Sequence, residues 1–407
     1  MKISHYKFQY IRYLFGSSIL FLLFIGCKPG SFLSEVKHTP FYYDGHIYVK
    51  AKVNSVDCIL DMDTGAEVLY LDSTFFYKKI DSTLLVDYTI GGVGTQKRKT
   101  KIYTDIVLYS LANHAKSQLY TPILDLQNLA KHRSDGIFGY HFMENKVICI
   151  DFVNRLLHIG ESTHSFLLED FQKIPFELKE SKIIIEAVIQ FTKDFSYRGK
   201  FVVDTGSDNS LNFTSATADS LSLDTIIKNK IQRVSIAMGI GKYSSNFSFK
   251  IPKAFISKFT IQDFISEYST DNAGALSKSL HYDGIIGNSI LKRFDIIIDY
   301  KSQNLYLKPN KKFLSKDDDK QYMYSLVQTN NPRKGWLVFS KVMSEETDNY
   351  GLQLGDIITH LNSQSVNDLK SDKFIKLFKD KKRKLLTVYR NGTIVDITID
   401  SIQLALK

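Results

Sequence analysis

The chain has 407 residues, enough for two or three domains, and its 43% hydrophobic and 24% charged residues are typical of a folded globular protein. This composition excludes a mostly disordered chain. The formal net charge of +10 raises nucleic acid or an anionic surface as partners, but Lys and Arg are scattered along the chain. The one dense run, Lys379 to Lys384, is interpreted as a solvated face, with anionic lipid as the alternative, and no nucleic acid is expected.

Residues 1–27 predict an export signal. Basic residues precede an apolar segment that runs to Gly26 and is too short to span a bilayer comfortably. Gly26 directly before Cys27, with apolar Leu23 to Ile25 upstream, resembles the lipobox of bacterial lipoproteins. The resemblance implies that Cys27 is lipidated and that the protein is exported, anchored to a bacterial membrane and periplasm-facing. It does not distinguish the inner from the outer membrane, and an uncleaved signal anchor is the alternative.

Two cysteines remain after Cys27, namely Cys58 and Cys149. An exported chain can keep a disulfide between them, but both lie in apolar, strand-like runs where a buried free thiol is commoner. Both states stay open. No Cys or His cluster has the spacing of metal ligands, so neither a metal nor a cofactor is expected.

The chain contains an internal repeat, with a first copy from about Gly45 to Gly160 and a second from about Ser181 to Leu307. Each copy has an alternating strand, an apolar run into Asp-Thr-Gly, a glycine-containing segment, Asp-Gly followed by two apolar residues and Gly, and a final apolar strand. The segments are rich in Ile, Val, Tyr and Phe and are broken by turn residues, which predicts β structure. Two lobes related by an approximate two-fold axis are expected.

The two copies also agree in spacing. Sixteen positions separate Asp135 from Asp151 in the first copy, and sixteen separate Asp283 from Asp299 in the second. Corresponding residues of the two copies are therefore expected to occupy corresponding places in the two lobes.

The repeated triplets are Asp63-Thr64-Gly65 and Asp204-Thr205-Gly206, paired downstream with Ile137-Phe138-Gly139 and Ile285-Ile286-Gly287. This combination resembles the aspartic proteases, both the two-lobed pepsin type and the single-lobed retropepsin type that dimerises. The resemblance covers about Gly45 to Leu307. It implies a mainly β fold with two tandem retropepsin-like β-barrel lobes, residues 38–165 and 172–310, and one catalytic aspartate in each.

Asp63 and Asp204 are the predicted catalytic residues. Two carboxyls about 3 Å apart share a proton, so one acts as a base and the other as an acid. The base activates a water that attacks an amide carbonyl, and the acid protonates the carbonyl oxygen. This chemistry needs no metal and no covalent intermediate.

The residues that follow each aspartate are predicted to support the pair. Gly65 and Gly206 let the backbone turn closely behind the carboxyls. In the resembling family, the threonines that correspond to Thr64 and Thr205 hydrogen-bond across the seam between the lobes. Their predicted role is positioning.

The two copies differ directly after the triplets, where the first has Ala66 and the second has Ser207. The hydroxyl of Ser207 could donate to Asp204 and favour its charged form. Asp63 would then be the member of the pair that more often holds the shared proton.

Further residues are predicted to bind substrate. Glu67 and Asp208 stand four residues after the catalytic aspartates, where retropepsins carry an acid that bonds the substrate backbone. Two glycine pairs fall where the family has hairpin flaps that close over an extended peptide, with ordinary hairpin turns as the alternative. These pairs are Gly92 with Gly94 and Gly239 with Gly241.

Asp61 is a departure from the family pattern. Because strand side chains alternate, Asp61 shares a face with Asp63, at a position where the second copy has apolar Val202. In the resembling enzymes this position lines a pocket beside the scissile bond. An acid there would favour a basic substrate side chain, or raise the pKa of the aspartate pair by repulsion. The alternative is that Asp61 points outward and is solvated.

Residues 320–407 form the last predicted domain, after a charged linker. The stretch "NYGLQLGDIITHLNSQSV" resembles a PDZ domain of the kind appended to bacterial exported proteases, the match lying on Gly351, Leu352, Gly355, Asp356 and Ile358. An amphipathic helix in "SDKFIKLFKDKK" and a hairpin turning at Asn391-Gly392 agree with it. Such domains bind peptide ends by strand addition. The loop that holds the terminal carboxylate is not recognisable around Tyr322 to Leu326, so a purely structural role is the alternative.

Together these features predict a membrane-tethered aspartic endopeptidase acting on polypeptides, with a peptide ligand of the PDZ domain as a second partner. The leading alternative is a catalytically inactive peptide-binding lipoprotein that keeps the cleft. Dimerisation with another chain is a third alternative, but two aspartates in one chain make it unnecessary, and a monomer is expected.

Overall fold

The computed structural model describes residues 36–79, 84–91, 98–126, 134–236, 243–277, 281–315, 320–329, 333–400 and 403–405. The predicted mainly β class is confirmed, since most strands of this part of the chain join two large sheets. No helix in the described ranges is long and apolar enough to cross a membrane. The predicted signal and Cys27 lie outside them.

The first repeat consists of short strands with little helix. Its strand β2 shows why, because alternate side chains from Val49 to Val53 are buried while Lys50 and Lys52 are exposed. The strands are β1 (Lys37–Tyr43), β2 (Ile47–Val53), β3 (Val56–Met62), β4 (Tyr70–Asp72), β5 (Leu85–Ile90), β6 (Arg98–Tyr103), β7 (Val107–Leu111), β8 (His114–Gln118), β9 (Thr121–Leu124), β10 (Gly136–Phe138), β11 (Val147–Asp151) and β12 (Leu156–Gly160). The helices are α1 (Ser73–Lys79) and α2 (Tyr140–Met143), with a 3-10 turn at Thr163–Ser165.

The second repeat is likewise built from strands with a few short helices. Its strands are β13 (Gln172–Pro175), β14 (Glu177–Lys179), β15 (Lys182–Gln190), β16 (Ser196–Val203), β17 (Leu211–Phe213), β18 (Lys230–Ile236), β19 (Tyr243–Ile256), β20 (Phe259–Ser269), β21 (Gly284–Ile286), β22 (Phe294–Asp299) and β23 (Asn304–Pro309). Its helices are α3 (Ser215–Ser220), α4 (Leu223–Ile226) and α5 (Asn288–Leu291).

The repeats are equivalent in topology around the Asp-Thr-Gly turns. Strand β10 pairs parallel with β3 and antiparallel with β4, and β21 pairs in the same way with β16 and β17. The Asp-Gly motifs begin β10 and β21. The carboxylate of Asp135 accepts the N–H of Ile59 at 2.9 Å, and that of Asp283 accepts the N–H of Lys200 at 2.6 Å. The repeated aspartates therefore hold the ends of β10 and β21 against the strands that lead to the turns.

The two repeats are joined by a run of six strands in the order β1-β12-β11-β22-β23-β13, three from each repeat. At its centre β11 and β22 pair antiparallel, with Cys149 opposite Ile297. One continuous apolar core extends through both repeats. The Asp-Thr-Gly turns consequently face each other across a seam.

Cys58 and Cys149 are both free and buried, so of the two states left open by the sequence the unbridged one is found. Burial is the main reason that the pKa of the Cys58 thiol rises to about 12 and that the pKa of Cys149 is raised as well. Both thiols stay protonated and unreactive at neutral pH.

The C-terminal segment has its own apolar core, in which the rings of Trp336 and Phe374 stack 4.6 Å apart. Its strands are β24 (Lys320–Tyr322), β25 (Tyr324–Thr329), β26 (Gly335–Val342), β27 (Ile357–Leu361), β28 (Gln364–Ser365), β29 (Lys384–Arg390), β30 (Thr393–Ile399) and β31 (Gln403–Ala405), and its helices are α6 (Glu345–Asn349) and α7 (Ser371–Lys379) with a 3-10 turn at Val366–Asp368. The predicted helix is therefore confirmed as α7. The predicted hairpin is confirmed as β29–β30, with positive φ at Asn391 and Gly392.

The segment "GLQLGD" is a turn anchored by an ion pair. Arg390 donates to both carboxylate oxygens of the buried Asp356 at 2.7 and 2.6 Å and to the carbonyl of Gly351 at 2.7 Å. Gly351 and Gly355 have φ of 71° and 90°, a region that favours glycine. Gly351, Gly355 and Asp356 thus close this loop on β29.

The C-terminal segment also pairs with the second repeat, which the sequence did not predict. Strand β26 continues the sheet beyond β18, with Val234 opposite Lys341. The buried side chain of Arg233 on β18 donates to the carbonyl of Tyr322 at 2.8 Å and to the hydroxyl of Ser340 at 3.3 Å. The C-terminal segment is therefore attached to the β18–β19 hairpin by main-chain and side-chain bonds.

Candidate active site

The two aspartates predicted as catalytic lie at equivalent points of the seam. Asp63 follows β3 and Asp204 follows β16. Each of these strands pairs with a short strand, β10 or β21, that also bonds the backbone of the aspartate. The N–H of Asp63 donates to the carbonyl of Phe138 and that of Asp204 to the carbonyl of Ile286, both at 3.0 Å. The side chains keep partial exposure to solvent. The apolar residues after the Asp-Gly motifs thus support the aspartates through backbone bonds.

Thr64 and Thr205 join the two turns. The N–H of Thr64 donates to the hydroxyl of Thr205 at 3.0 Å, and the N–H of Thr205 donates to the hydroxyl of Thr64 at 2.9 Å. Each hydroxyl then donates to the carbonyl before the opposite aspartate, at Val203 and at Met62. The structure therefore brings these two predicted support residues together across the seam.

Each carboxyl packs over the glycine of the opposite turn. A Cβ added to Gly65 would lie 2.9 Å from Cγ of Asp204, and one added to Gly206 would lie 2.3 Å from Cγ of Asp63. No side chain fits at either place without displacing a carboxyl. This close approach explains why both triplets end in glycine.

Backbone donors orient the carboxyls. One oxygen of Asp63 accepts the N–H groups of Gly65 at 2.7 Å and Ala66 at 3.1 Å, and Asp204 accepts the N–H of Gly206 at 2.8 Å. These bonds act on both residues in the same way. They fix the orientation of both carboxyl planes at the seam.

The pKa values of Asp63 and Asp204 are both raised, with burial as the largest cause. For Asp63 the charge of Asp204 comes second, and the hydrogen bond between the two carboxyls raises its pKa further. The same bond lowers the pKa of Asp204. The two carboxyls are therefore coupled, and the pair holds one shared proton.

Ser207 and its neighbours show how the second turn is packed. The hydroxyl of Ser207 lies 2.8 Å from the place that a Cβ on Gly287 would take. After burial, the influences on the pKa of Asp204 are the bond to Asp63, the N–H of Gly206, and the charges of His46 and Lys182. The predicted donation from Ser207 to Asp204 stays a prediction.

Glu67 and Asp208, the predicted substrate-binding acids, lie at the edges of the site. The side chain of Glu67 is exposed, and its charge, after burial and the charge of Asp63, raises the pKa of Tyr70. Asp208 is partly exposed and lies against Gly45, where an added Cβ would be 3.0 Å from Cβ of Asp208. Their role towards a substrate stays a prediction.

The four predicted flap glycines, at positions 92, 94, 239 and 241, lie outside the described residues. The strands on either side of them are described. Strands β5 and β6 pair antiparallel from Leu85 opposite Tyr103 to Ile90 opposite Arg98. Strands β18 and β19 pair from Lys230 opposite Phe249 to Ile236 opposite Tyr243. The paired strands of both predicted hairpins are therefore present, and their closure over a ligand stays a prediction.

Asp61 is buried, with 1% exposure, so the outward, solvated orientation left open by the sequence is not the one found. One carboxylate oxygen lies 3.0 Å from Nδ1 of His46, whose side chain is 4% exposed. Sequence reasoning missed His46. The contact follows from the register of β2 on β3, because Tyr48 lies opposite Asp61 and His46 stands two positions before Tyr48, directly ahead of β2.

Asn288 is a second residue that the sequence analysis missed. Its side-chain amide donates to the carbonyl of Gly45 at 2.7 Å and to the carbonyl of Thr205 at 2.6 Å. It is fully buried. Asn288 therefore ties the turn before β2 in the first repeat to the Asp-Thr-Gly turn of the second.

Within the described ranges, no group of three or more His, Cys, Asp or Glu side chains is arranged to hold a metal ion. No protein-family model matches the chain, and no curated protein is significantly similar to it in sequence. The chemistry of the site is therefore argued from its own geometry.

Proposed function

We propose that this protein is an aspartic endopeptidase that hydrolyses peptide bonds with a water activated between Asp63 and Asp204. The observation that carries the proposal is the shared hydrogen bond between these two carboxyls at the seam of a two-fold repeat. Two half-buried carboxyls in contact hold one proton between them, which is the state that acid–base catalysis requires. The hydrogen bonds between Thr64 and Thr205 and the close approach at the glycine of each triplet keep such a site rigid.

In the proposed reaction one carboxyl of the pair acts as the base and the other as the acid, and we assign the base to Asp204. Asp204 accepts a proton from the water as the water oxygen attacks the amide carbon. Asp63 donates its proton to the carbonyl oxygen, which gives a neutral tetrahedral intermediate. When the C–N bond breaks, Asp204 returns a proton to the leaving nitrogen and a hydroxyl of the intermediate returns one to Asp63. Both aspartates then regain their starting states.

We propose that the substrate is an extended polypeptide lying between the β5–β6 and β18–β19 hairpins, with Glu67 and Asp208 bonding its backbone. The finer fold belongs to this proposal, with retropepsin-like lobes over residues 38–165 and 172–310 and a PDZ domain over residues 320–407. The common topology of the repeats supports the first part, and the separate core of the C-terminal segment supports the second. A peptide ligand of the PDZ domain is proposed as a second partner.

Export, the lipid anchor on Cys27, the periplasmic side and the monomeric state are also proposed. The anchor rests on residues 1–27 of the sequence. The monomer rests on the presence of both aspartates in one chain, which needs no second copy to complete the pair.

The test is proteolysis of an unfolded protein mixture by a soluble form that starts after Cys27, from about pH 4 to pH 8. We expect the wild type to cleave and the variants Asp63→Asn and Asp204→Asn each to be inactive. Asp57→Asn is the matched control, because Asp57 is an exposed aspartate of the same strand that leads to Asp63. A wild type that binds peptides without cutting them would replace this proposal with the inactive binding protein.

A further inference from the structure

The buried pair of His46 and Asp61 lies outside the proposed chemistry and calls for an explanation. Nδ1 of His46 is 3.0 Å from Oδ2 of Asp61, and the side chains are 4% and 1% exposed. Burying two ionisable groups costs free energy that their mutual attraction often does not recover. The corresponding position in the second repeat is Val202, which packs in an apolar cluster with Ile184. The fold therefore does not require an acid at this place.

The backbone around His46 holds it at the seam. Gly45, with φ of +83°, turns the chain so that the N–H of Asp44 donates to the carbonyl of His46 at 3.2 Å. Asn288 bonds the carbonyl of Gly45 and the carbonyl of Thr205 at the same time. A fixed bridge thus connects the strand that begins beside His46 to the turn that carries Asp204.

The second repeat has a basic residue, Lys182, at the position that corresponds to His46 in the first repeat. In the register of the hairpins, Tyr48 lies opposite Asp61 and Ile184 lies opposite Val202. Two positions earlier on the same faces stand His46 in the first repeat and Lys182 in the second. The charge of His46 lowers the pKa of both Asp63 and Asp204, and the charge of Lys182 lowers that of Asp204, against the larger effect of burial.

We propose that His46, held by Asp61, is a positioning residue of the aspartate pair, which places a titratable positive charge at the seam and so sets the pH range in which the pair carries one proton. The proposal rests on the proposed function. It adds that a histidine present only in the first repeat sets the pH range in which the aspartate pair is active. Histidine and lysine are different kinds of cation, because a free imidazole titrates at about pH 6.5 and a free lysine amine at about pH 10.4. The proposed control therefore belongs to the histidine of the first repeat.

The direction in which the pKa values of Asp63 and Asp204 should change follows from the charges around them. A positive charge favours the ionised form of a carboxyl, so removing it raises both pKa values and moves both limbs of a pH profile upward. A negative charge has the opposite effect, so Asp61 without His46 is expected to add to the upward shift. The ionisable groups that act on the pair or on the turn beside it are Asp44, His46, Asp61, Tyr70, Lys182, Asp208, Tyr282 and Tyr300.

The experiment compares kcat/KM against pH for the wild type, His46→Gln and the double variant His46→Leu with Asp61→Leu. We expect both limbs to move upward by about one pH unit in His46→Gln, as one charge at close range allows. A smaller upward shift is expected in the double variant, which also loses the opposing acid. His158→Gln is the control, because His158 is an equally buried histidine on β12 whose charge is not among those acting on the pair. Its profile should match that of the wild type.

A direct titration separates this proposal from the proposed function. The carboxyl carbons of Asp63 and Asp204, labelled with 13C and assigned with the Asp→Asn variants, report the pKa values without turnover. Activity that survives in Asp63→Asn sinks the protease proposal and leaves the titration as the test of His46. Carboxyl titrations and pH limbs that coincide in the wild type and in the folded double variant overturn the role of His46. If His46→Gln does not fold, the double variant, in which position 61 is apolar like Val202 of the second repeat, carries the test.

Discussion

Thr64 and Thr205 exchange their hydrogen bonds, each N–H donating to the other's hydroxyl at 3.0 and 2.9 Å. Both side chains are fully buried, and both hydroxyls donate onward to the carbonyl of the residue before the opposite aspartate. Movement of one turn alone would break four bonds at once. The two halves of the site are thereby coupled, so a disturbance in either repeat reaches both aspartates.

Replacing either threonine with valine should destabilise the protein. Valine keeps the shape but removes one donor and one acceptor, which leaves a buried N–H and a buried carbonyl without their bonds. We expect a loss of about 2 kcal/mol in the free energy of unfolding for each variant, measured in urea. Thr64→Ser keeps the hydroxyl and serves as the control. Equal stability of Thr64→Val and the wild type would contradict the coupling.

Asp63→Asn should be more stable than the wild type at neutral pH and lose that advantage in acid. The raised pKa means that folding favours protonated Asp63, so its contribution is complete below the ordinary aspartate value of about 4. As pH rises, the unfolded chain releases its proton first and the wild type loses stability until the folded carboxyl ionises. The amide does not titrate. We expect a gain on the order of 1–2 kcal/mol at pH 7 and none near pH 3, and Asp57→Asn should show no such gain.

Gly206→Ala should slow proteolysis on the order of 100-fold, with little change in the rest of the fold. The new Cβ would lie 2.3 Å from Cγ of Asp63, so the carboxyl must move away from its partner. A displacement of about 1 Å costs on the order of 100-fold in rate. Gly91→Ala is the control, since a Cβ there meets nothing within 4 Å. Measured kcat/KM within a factor of a few of the wild type in Gly206→Ala would refute the close approach.

Arg233→Met should weaken the attachment of the C-terminal segment. Glu267 on β20 is partly buried, desolvation raises its pKa, and the charge of Arg233 opposes the rise. Without the guanidinium, Glu267 loses a neighbouring positive charge and the carbonyl of Tyr322 loses a hydrogen-bond donor. We expect a loss of about 3 kcal/mol in the free energy of unfolding and faster limited proteolysis between residues 310 and 320.

Arg198→Met is the matched control for Arg233→Met. Arg198 pairs with Glu186 at 3.4 Å, but both side chains are more than half exposed. Solvent screens such a pair, so a change below about 0.5 kcal/mol is expected. Equal effects of the two substitutions would show that the contact between β18 and β26 contributes nothing to stability.

Much of this fold could be predicted from local sequence patterns. Alternating burial in β2 and the turn at Asn391-Gly392 follow from rules that act over a few residues, and both were predicted. The repeated Asp-Thr-Gly triplets predicted which carboxyls would meet. Asp61 was recognised as unusual, but its partner was not, because His46 carries no motif and reaches Asp61 only through the register of β2 on β3.

Periodicity, the order of motifs and their spacing are properties of neighbouring residues, so they already specified a mainly β chain with two equivalent halves and a pair of aspartates. The quantities that govern the chemistry arise between residues far apart in the chain. The shared proton of Asp63 and Asp204, the bridge through Asn288 and the pairing of β18 with β26 depend on angstrom-scale distances. Hydrogen bonds and desolvation change steeply over such distances, and only the packed fold determines them.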